Sequence, residues 1–382
     1  MKLNDLLFVM VFGLLAVLYS ALAQTWTQLG PPMNTVWHSV TMSADGKIIC
    51  AASSGGHPMI SLDSGYTWQS SLTSPAARTP LASSADGIKL AGVFSVPPSA
   101  GIYVSTNSGN TWTPTSAPNG PGFNWYPLAS SADGTKLIAA VVQGFIYVST
   151  NSGSTWNAGG SPSNSWVSVV SSADGTKLAA ASGDKVFTST NSGITWIATA
   201  APSAGWLACN AAGNQLVVSG SATYISTNFG DTWRLASAKA GHVASSADGT
   251  KLIIAGISIY TSSDSGVTWV SNSVPGNWYC VASSADGSQL VAANSGNDFS
   301  QTGIWIGRRT PSPKLNAATA NTNLVLSWIV SSTNFVLQQN LDLSSANWTT
   351  ISNLPQLNFT NLQEQVRLSP SNSNGFYRLI AQ

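Results

Sequence analysis

Fourteen carboxylates, thirteen aspartates and the lone Glu364, are distributed over 382 residues, and hydrolysis of a glycosidic bond needs two of them flanking that bond. Six aspartates (Asp45, Asp86, Asp133, Asp174, Asp248, Asp286) stand in Asp-Gly turns, and Asp63, Asp231 and Asp264 stand in segments that end in Thr-Trp. Within residues 24 to 309, Asp184 and Asp298 are left as the one conceivable catalytic pair, in loops far apart in sequence. A more regular set is aromatic. Trp37, Arg78, Trp125, Trp166, Trp206, His242 and Trp278 recur every 36 to 47 residues, and flat aromatic faces are what sugar rings and apolar peptide groups stack on. Cys50, Cys209 and Cys280, like His38, His57 and His242, show no metal-ligand spacing, so neither a metal nor another cofactor is expected. The residue inventory therefore points to a non-catalytic binding surface for a glycan or peptide, with hydrolysis as the alternative.

The regularity comes from a repeat. Ser-x-Asp/Asn-x-Gly-x-Thr-Trp begins at Ser61, Ser105, Ser149, Ser189, Ser226 and Ser262, and Ser-Ala-Asp-Gly recurs from Ser43 to Ser284, with Asn210 opening a degenerate copy. Each unit reads as four short strands. In the third, Trp125 opens the first strand, Asp133-Gly134 makes a tight turn, Lys136 to Val142 and Gly144 to Thr150 are the next two strands, and Trp156 lies on the fourth. Such a sheet is too small to bury its own faces, and units of this period stack into propellers or solenoids.

The eight-residue pattern resembles the Asp-box of sialidases, sortilin-type receptors, xyloglucanases and photosystem II assembly-factor propellers. The resemblance covers residues 24 to 309 and implies an all-β, seven-bladed propeller whose boxes lie on the face away from the functional site. The first strand of each blade would then lie nearest the axis, bringing the seven recurrent positions to the mouth of a central channel. Packing makes the opposite demand, since a repeated Trp can equally fill the wedge between blades. The seventh unit ends after Gly303 to Ile306 without a box, while Thr25-Trp26 stands alone near the start. An N-terminal strand that completes the last blade accounts for both. A sialidase-like activity would require an arginine cluster and a glutamate-assisted tyrosine, yet residues 24 to 309 contain no glutamate.

Residues 1–23 read as a signal peptide, with Lys2, an apolar run and Ala21-Leu22-Ala23 before the cut. The apolar stretch is shorter than a membrane span requires, which leads to an exported protein, secreted or in the cell envelope, with no membrane insertion after cleavage. Lys and Arg total 15 against 14 acids, and 8% of residues are charged, so no basic field exists for nucleic acid. From 310 the repeats stop. Residues 310–314 read as a linker and 315–382 as a small β-sandwich, similar to the fibronectin-III-like modules of secreted bacterial proteins, with Leu-Ser-Trp near its start and Phe-Tyr-Arg-Leu near its end. As an alternative role, the likeness to photosystem II assembly factors implies an envelope scaffold.

Overall fold

The turns are wired by side chains before any sheet is considered. Ser43 Oγ donates to Asp45 Oδ1 (2.6 Å), and the same Oγ accepts from the Ile48 N–H (2.9 Å). Gly46 supplies the positive φ of 75° that the turn needs. In the boxes Ser61 Oγ accepts from the Gly65 N–H (2.8 Å) and donates to Asp63 Oδ1 (2.8 Å), while Asp63 Oδ1 accepts from the Thr67 N–H (2.8 Å). Asn107 makes the same bonds, Oδ1 accepting from the Thr111 N–H at 2.9 Å, so the negative charge is not needed there. The residue before the box glycine is left-handed too, from Ser152 at 55° to Ser64 at 63°.

The computed structural model describes residues 24–30, 36–53, 55–74, 77–94, 101–120, 122–294, 302–309, 314–320, 323–331, 334–341, 347–369 and 375–381, without the side chains of 77–79, 273 and 275. The signal segment, Asp298 and most of the linker therefore lie outside the described residues. These residues form eight four-stranded antiparallel sheets and one three-stranded sheet. Seven of the sheets follow the repeat. Their first strands are Trp37–Met42, Ala77–Ser83, Trp125–Ser130, Trp166–Ser171, Trp206–Cys209, His242–Ser245 and Trp278–Ser283. The outer strand of the seventh is Thr25–Gln28, paired with Gly303–Arg308 so that Thr25 lies opposite Arg308 and Gln28 opposite Trp305.

Each repeat sheet is apolar on both faces and shares one buried cluster with each neighbour. Ile60 packs with Leu81 and Phe94 between the first and second sheets, and Ala51 with Val291 and Ile304 between the first and the seventh. Main-chain bonds trace the same circuit. The Ala44 N–H donates to Ala85 O (2.7 Å), and the step is repeated through Ala132, Ala173, Ala211 and Ala247 to Ala285, whose N–H donates back to Ala44 O (2.8 Å). Small alanines at these seven positions let the strands approach closely around an axis.

The last two sheets belong to the C-terminal residues. Asn316–Ala320, Asn323–Ile329, Gln363–Leu368 and Gln356–Asn358 form one, and Thr349–Thr350, Phe335–Asn340 and Phe376–Ala381 form the other. They enclose Leu326, Trp328, Leu337 and Val366. A second set of apolar residues faces the alanine circuit, with buried Val330 and half-buried Ile329, Leu357 and Leu362 packed on Ala44 to Ala285. Polar contacts fix this docking. Ser331 Oγ donates to Asp286 Oδ2 (2.5 Å) and Lys47 Nζ to Asn334 Oδ1 (3.1 Å). In other sheets a lysine one position further along reaches the next turn instead, as Lys89 Nζ does to Asp133 O (3.1 Å) and Lys136 Nζ to Asp174 O (2.8 Å). The C-terminal residues thus cover the end of the axis that carries the turns and boxes.

Candidate functional site

First strands run toward the Ser-Ala-Asp-Gly turns, so their starting residues lie at the end opposite the C-terminal sheets. There, a cavity of about 180 Å³ is lined by residues from all seven first strands, among them His38, Pro80, Tyr126, Ser168, Trp206, His242 and Tyr279. Among the described residues no Asp, Glu, Lys or Arg side chain lines it. A groove of about 640 Å³ adjoins it, with Tyr279 as the shared wall and Lys239, Ile257, Tyr260 and Asn277 along its length. Ile257 is 80% exposed and Tyr279 45%; Lys239 Nζ lies 5.4 Å from the Tyr260 ring centroid.

The seven recurrent positions do not form one ring. Trp37, Trp125, Trp166 and Trp278 are 1 to 4% exposed and belong to the clusters between sheets, as the wedge alternative requires. Trp206 and His242 do reach the cavity and stack with centroids 3.9 Å apart. Arg78 lies one residue inside its strand, which begins at Ala77, and its side chain is outside the described residues. The cause is register. Pairing shifts between Trp37 and Ser39, Trp125 and Leu128, Trp166 and Ser168, and Trp278 and Cys280, and a bulge of this kind re-aims side chains. Strands that start at Trp206 and His242 pair without a shift. The difference is countable in the chain: the four buried tryptophans precede the turn serine by six residues, whereas Trp206 precedes Asn210, and His242 precedes Ser246, by four.

His38, Tyr126 and Tyr279, the residues just after buried tryptophans, take the lining role that the ring was expected to play. His38 meets Tyr279 edge-on at 6.0 Å. Burial pushes the Tyr126 hydroxyl up to about 12, with Cys280 adding to the shift; burial raises Cys50 and Cys209 to about 12, and Cys280 to about 12 against the opposing Val40 and Ala293 amides. These groups stay neutral at ordinary pH. Burial also lowers His38 and brings His242 down to about 4 from 6.5.

A pH dependence follows. The fold holds His242 neutral, so stability is undiminished above pH 6.5 and falls as pH drops from 6.5 toward 4, by up to about 3 kcal/mol from this group. His38 acts in the same direction. Thermal melts from pH 7 to 4 should show the loss, and His242→Gln should flatten part of it; identical slopes in both proteins would assign the acid sensitivity elsewhere.

Asp184 is exposed in a loop at the same end, and its Oδ1 accepts from Ser182 Oγ at 3.0 Å. Asp231 sits in its box, away from the cavity. Among the described residues no group of three His, Cys, Asp or Glu could hold a metal ion, and no helix is long and apolar enough to cross a membrane.

No protein-family model matches the chain, and no curated protein matches it in sequence. Solved structures do. YCF48 bound to D1 peptide is 18% identical at a TM-score of 0.56, over 75% of this chain and 97% of that one. The GH74 xyloglucanase from Xanthomonas campestris is 16% identical at 0.53, over 80% of this chain and 59% of that one. The β-propeller domain of Cps50 (Swd1) from Myceliophteria thermophila is 14% identical at 0.54, over 75% of this chain and all of that one, 100%. Likeness at such identities is likeness of fold, and the fold is the β-propeller.

Proposed function

We propose that this chain is a secreted or envelope-located, non-catalytic binding protein whose open propeller mouth contacts a glycan or peptide. In this reading residues 1–23 are a signal peptide and 24–309 a seven-bladed Asp-box propeller closed by Thr25–Gln28. Residues 310–314 are a linker, and 315–382 a fibronectin-III-like sandwich. The observation that carries the proposal is the cavity lined by His38, Tyr126, Trp206, His242 and Tyr279, without a charged side chain among the described residues, beside a groove that shares Tyr279, at the end of the axis away from the C-terminal sheets. Among its described lining residues there is no carboxylate pair of the kind hydrolysis would use. Peptide binding by a propeller of similar fold, YCF48 with D1 peptide, favours an assembly or scaffold role as the second reading. Xyloglucanase activity belongs to the GH74 neighbour; for this chain a glycoside-hydrolase role would rest on Asp184 and Asp298.

The test is a glycan array and a peptide array probed with the mature protein, repeated with Trp206→Ala and Tyr279→Ala. Loss of at least about 30-fold in affinity, as for truncation of an aromatic anchor at the centre of an interface, with unchanged melting is expected. Binding that survives both changes would move the site away from the mouth. Turnover of xyloglucan or sialosides that vanishes in Asp184→Asn would replace the binding reading with the hydrolytic one.

A further inference from the structure

Resting on the binding reading, we propose that the mouth takes an uncharged monosaccharide unit at the end of a glycan, recognised by main-chain groups of the channel wall. Seven residues stand three positions before the turn: Val40, Leu81, Leu128, Val169, Leu207, Val243 and Val281. Alternation along an antiparallel pair aims their N–H and C=O groups away from the second strand and toward the axis. Two such amides show that direction, the Leu81 N–H donating to Ser39 Oγ and the Leu207 N–H to Ser168 Oγ, both at 3.0 Å. A third, the Val40 N–H, donates to Cys280 Sγ.

In each of these cases the acceptor is the residue four positions before the turn in the preceding sheet. At the other four steps that residue is Pro80, Pro127, Trp206 or His242, and none makes this bond. The amides of Leu128, Val169, Val243 and Val281 therefore face the cavity that these residues line, each beside its own carbonyl.

A wall that offers donors and acceptors together, without formal charge among its described residues, matches hydroxyl groups, which both give and take hydrogen bonds. A carboxylate would leave the carbonyls opposed, and an ammonium would leave the amides opposed. The rim supplies Trp206 and Tyr279, on which the C–H face of a sugar can stack. Size agrees, because about 180 Å³ is well below the ~300 to 1,000 Å³ of sites for drug-sized ligands. It suits one ring rather than a folded segment.

The experiment measures saturation-transfer NMR and calorimetry on the full mature chain with glucose, galactose, N-acetylglucosamine and glucuronate, beside a peptide array. Pro80→Ser installs at the Leu128 amide the cap that Ser39 gives to Leu81. A neutral sugar should bind, weaken about fivefold in Pro80→Ser, as for one lost hydrogen bond, and be lost in Tyr279→Ala. Glucuronate should bind more weakly than its neutral counterpart. A peptide or acidic sugar that binds at the mouth while neutral sugars do not would overturn the sugar assignment and leave the binding reading standing. Silence of every probe at millimolar concentration, or neutral-sugar binding indifferent to both substitutions, would overturn the proposal.

Discussion

Trp166→Ala is expected to lower stability by about 3 to 5 kcal/mol, the cost of truncating a large buried side chain whose surroundings cannot collapse. Trp166 is 1% exposed, its Nε1 donates to Gly144 O at 2.9 Å, and its ring meets the edge of Phe187 at 5.4 Å. Its contacts lie between the third and fourth sheets, so the cavity left behind weakens the joint between them. Melting should fall by on the order of 10 °C for a chain of this size. Trp206→Ala should change melting far less, because that ring has water on one side. A Trp166→Ala protein that melts within about 2 °C of the parent would contradict the wedge assignment.

Removal of Thr25 to Gly30 should be as damaging. It strips four paired residues from Gly303–Arg308 and takes away Trp26, whose ring packs 6.4 Å from Trp278. Loss of the half-buried Trp26 side chain is expected to cost about 1 to 2 kcal/mol, less than for a core tryptophan, and an unpaired edge strand would invite association between molecules. Light scattering together with thermal melts checks both effects. Unchanged melting and a monodisperse truncated protein would mean that the seventh sheet does not depend on its N-terminal strand.

The sheets were legible because their signals are local. Asp-Gly turns, the box glycine and the Thr-Trp ending each act within eight residues, and the four-stranded units appear where those signals put them. The site was half legible. Aromatic residues at the strand starts were visible, but a single extra residue in the strands of Trp37, Trp125, Trp166 and Trp278 turns those rings inward and presents His38, Tyr126 or Tyr279 instead. Spacing to the turn serine carries that information, six residues against four. The docking of the C-terminal residues had no local signal. Val330 and Leu362 look like ordinary core residues of a sandwich, and nothing local marks Lys47, four residues after its turn serine where the other turn lysines stand five after theirs, as the one that reaches Asn334.

That docking gives the molecule a polarity. A linker alone would let the C-terminal sheets swing; seated on the alanine circuit through Val330, Leu362 and the Ser331–Asp286 bond, they hold the propeller by its closed pole. Any attachment made through those sheets, to a wall, a polymer or a larger assembly, would present the mouth outward. The protein would then work as an aimed receptor, with its direction of display set by the same contacts that stopper its axis.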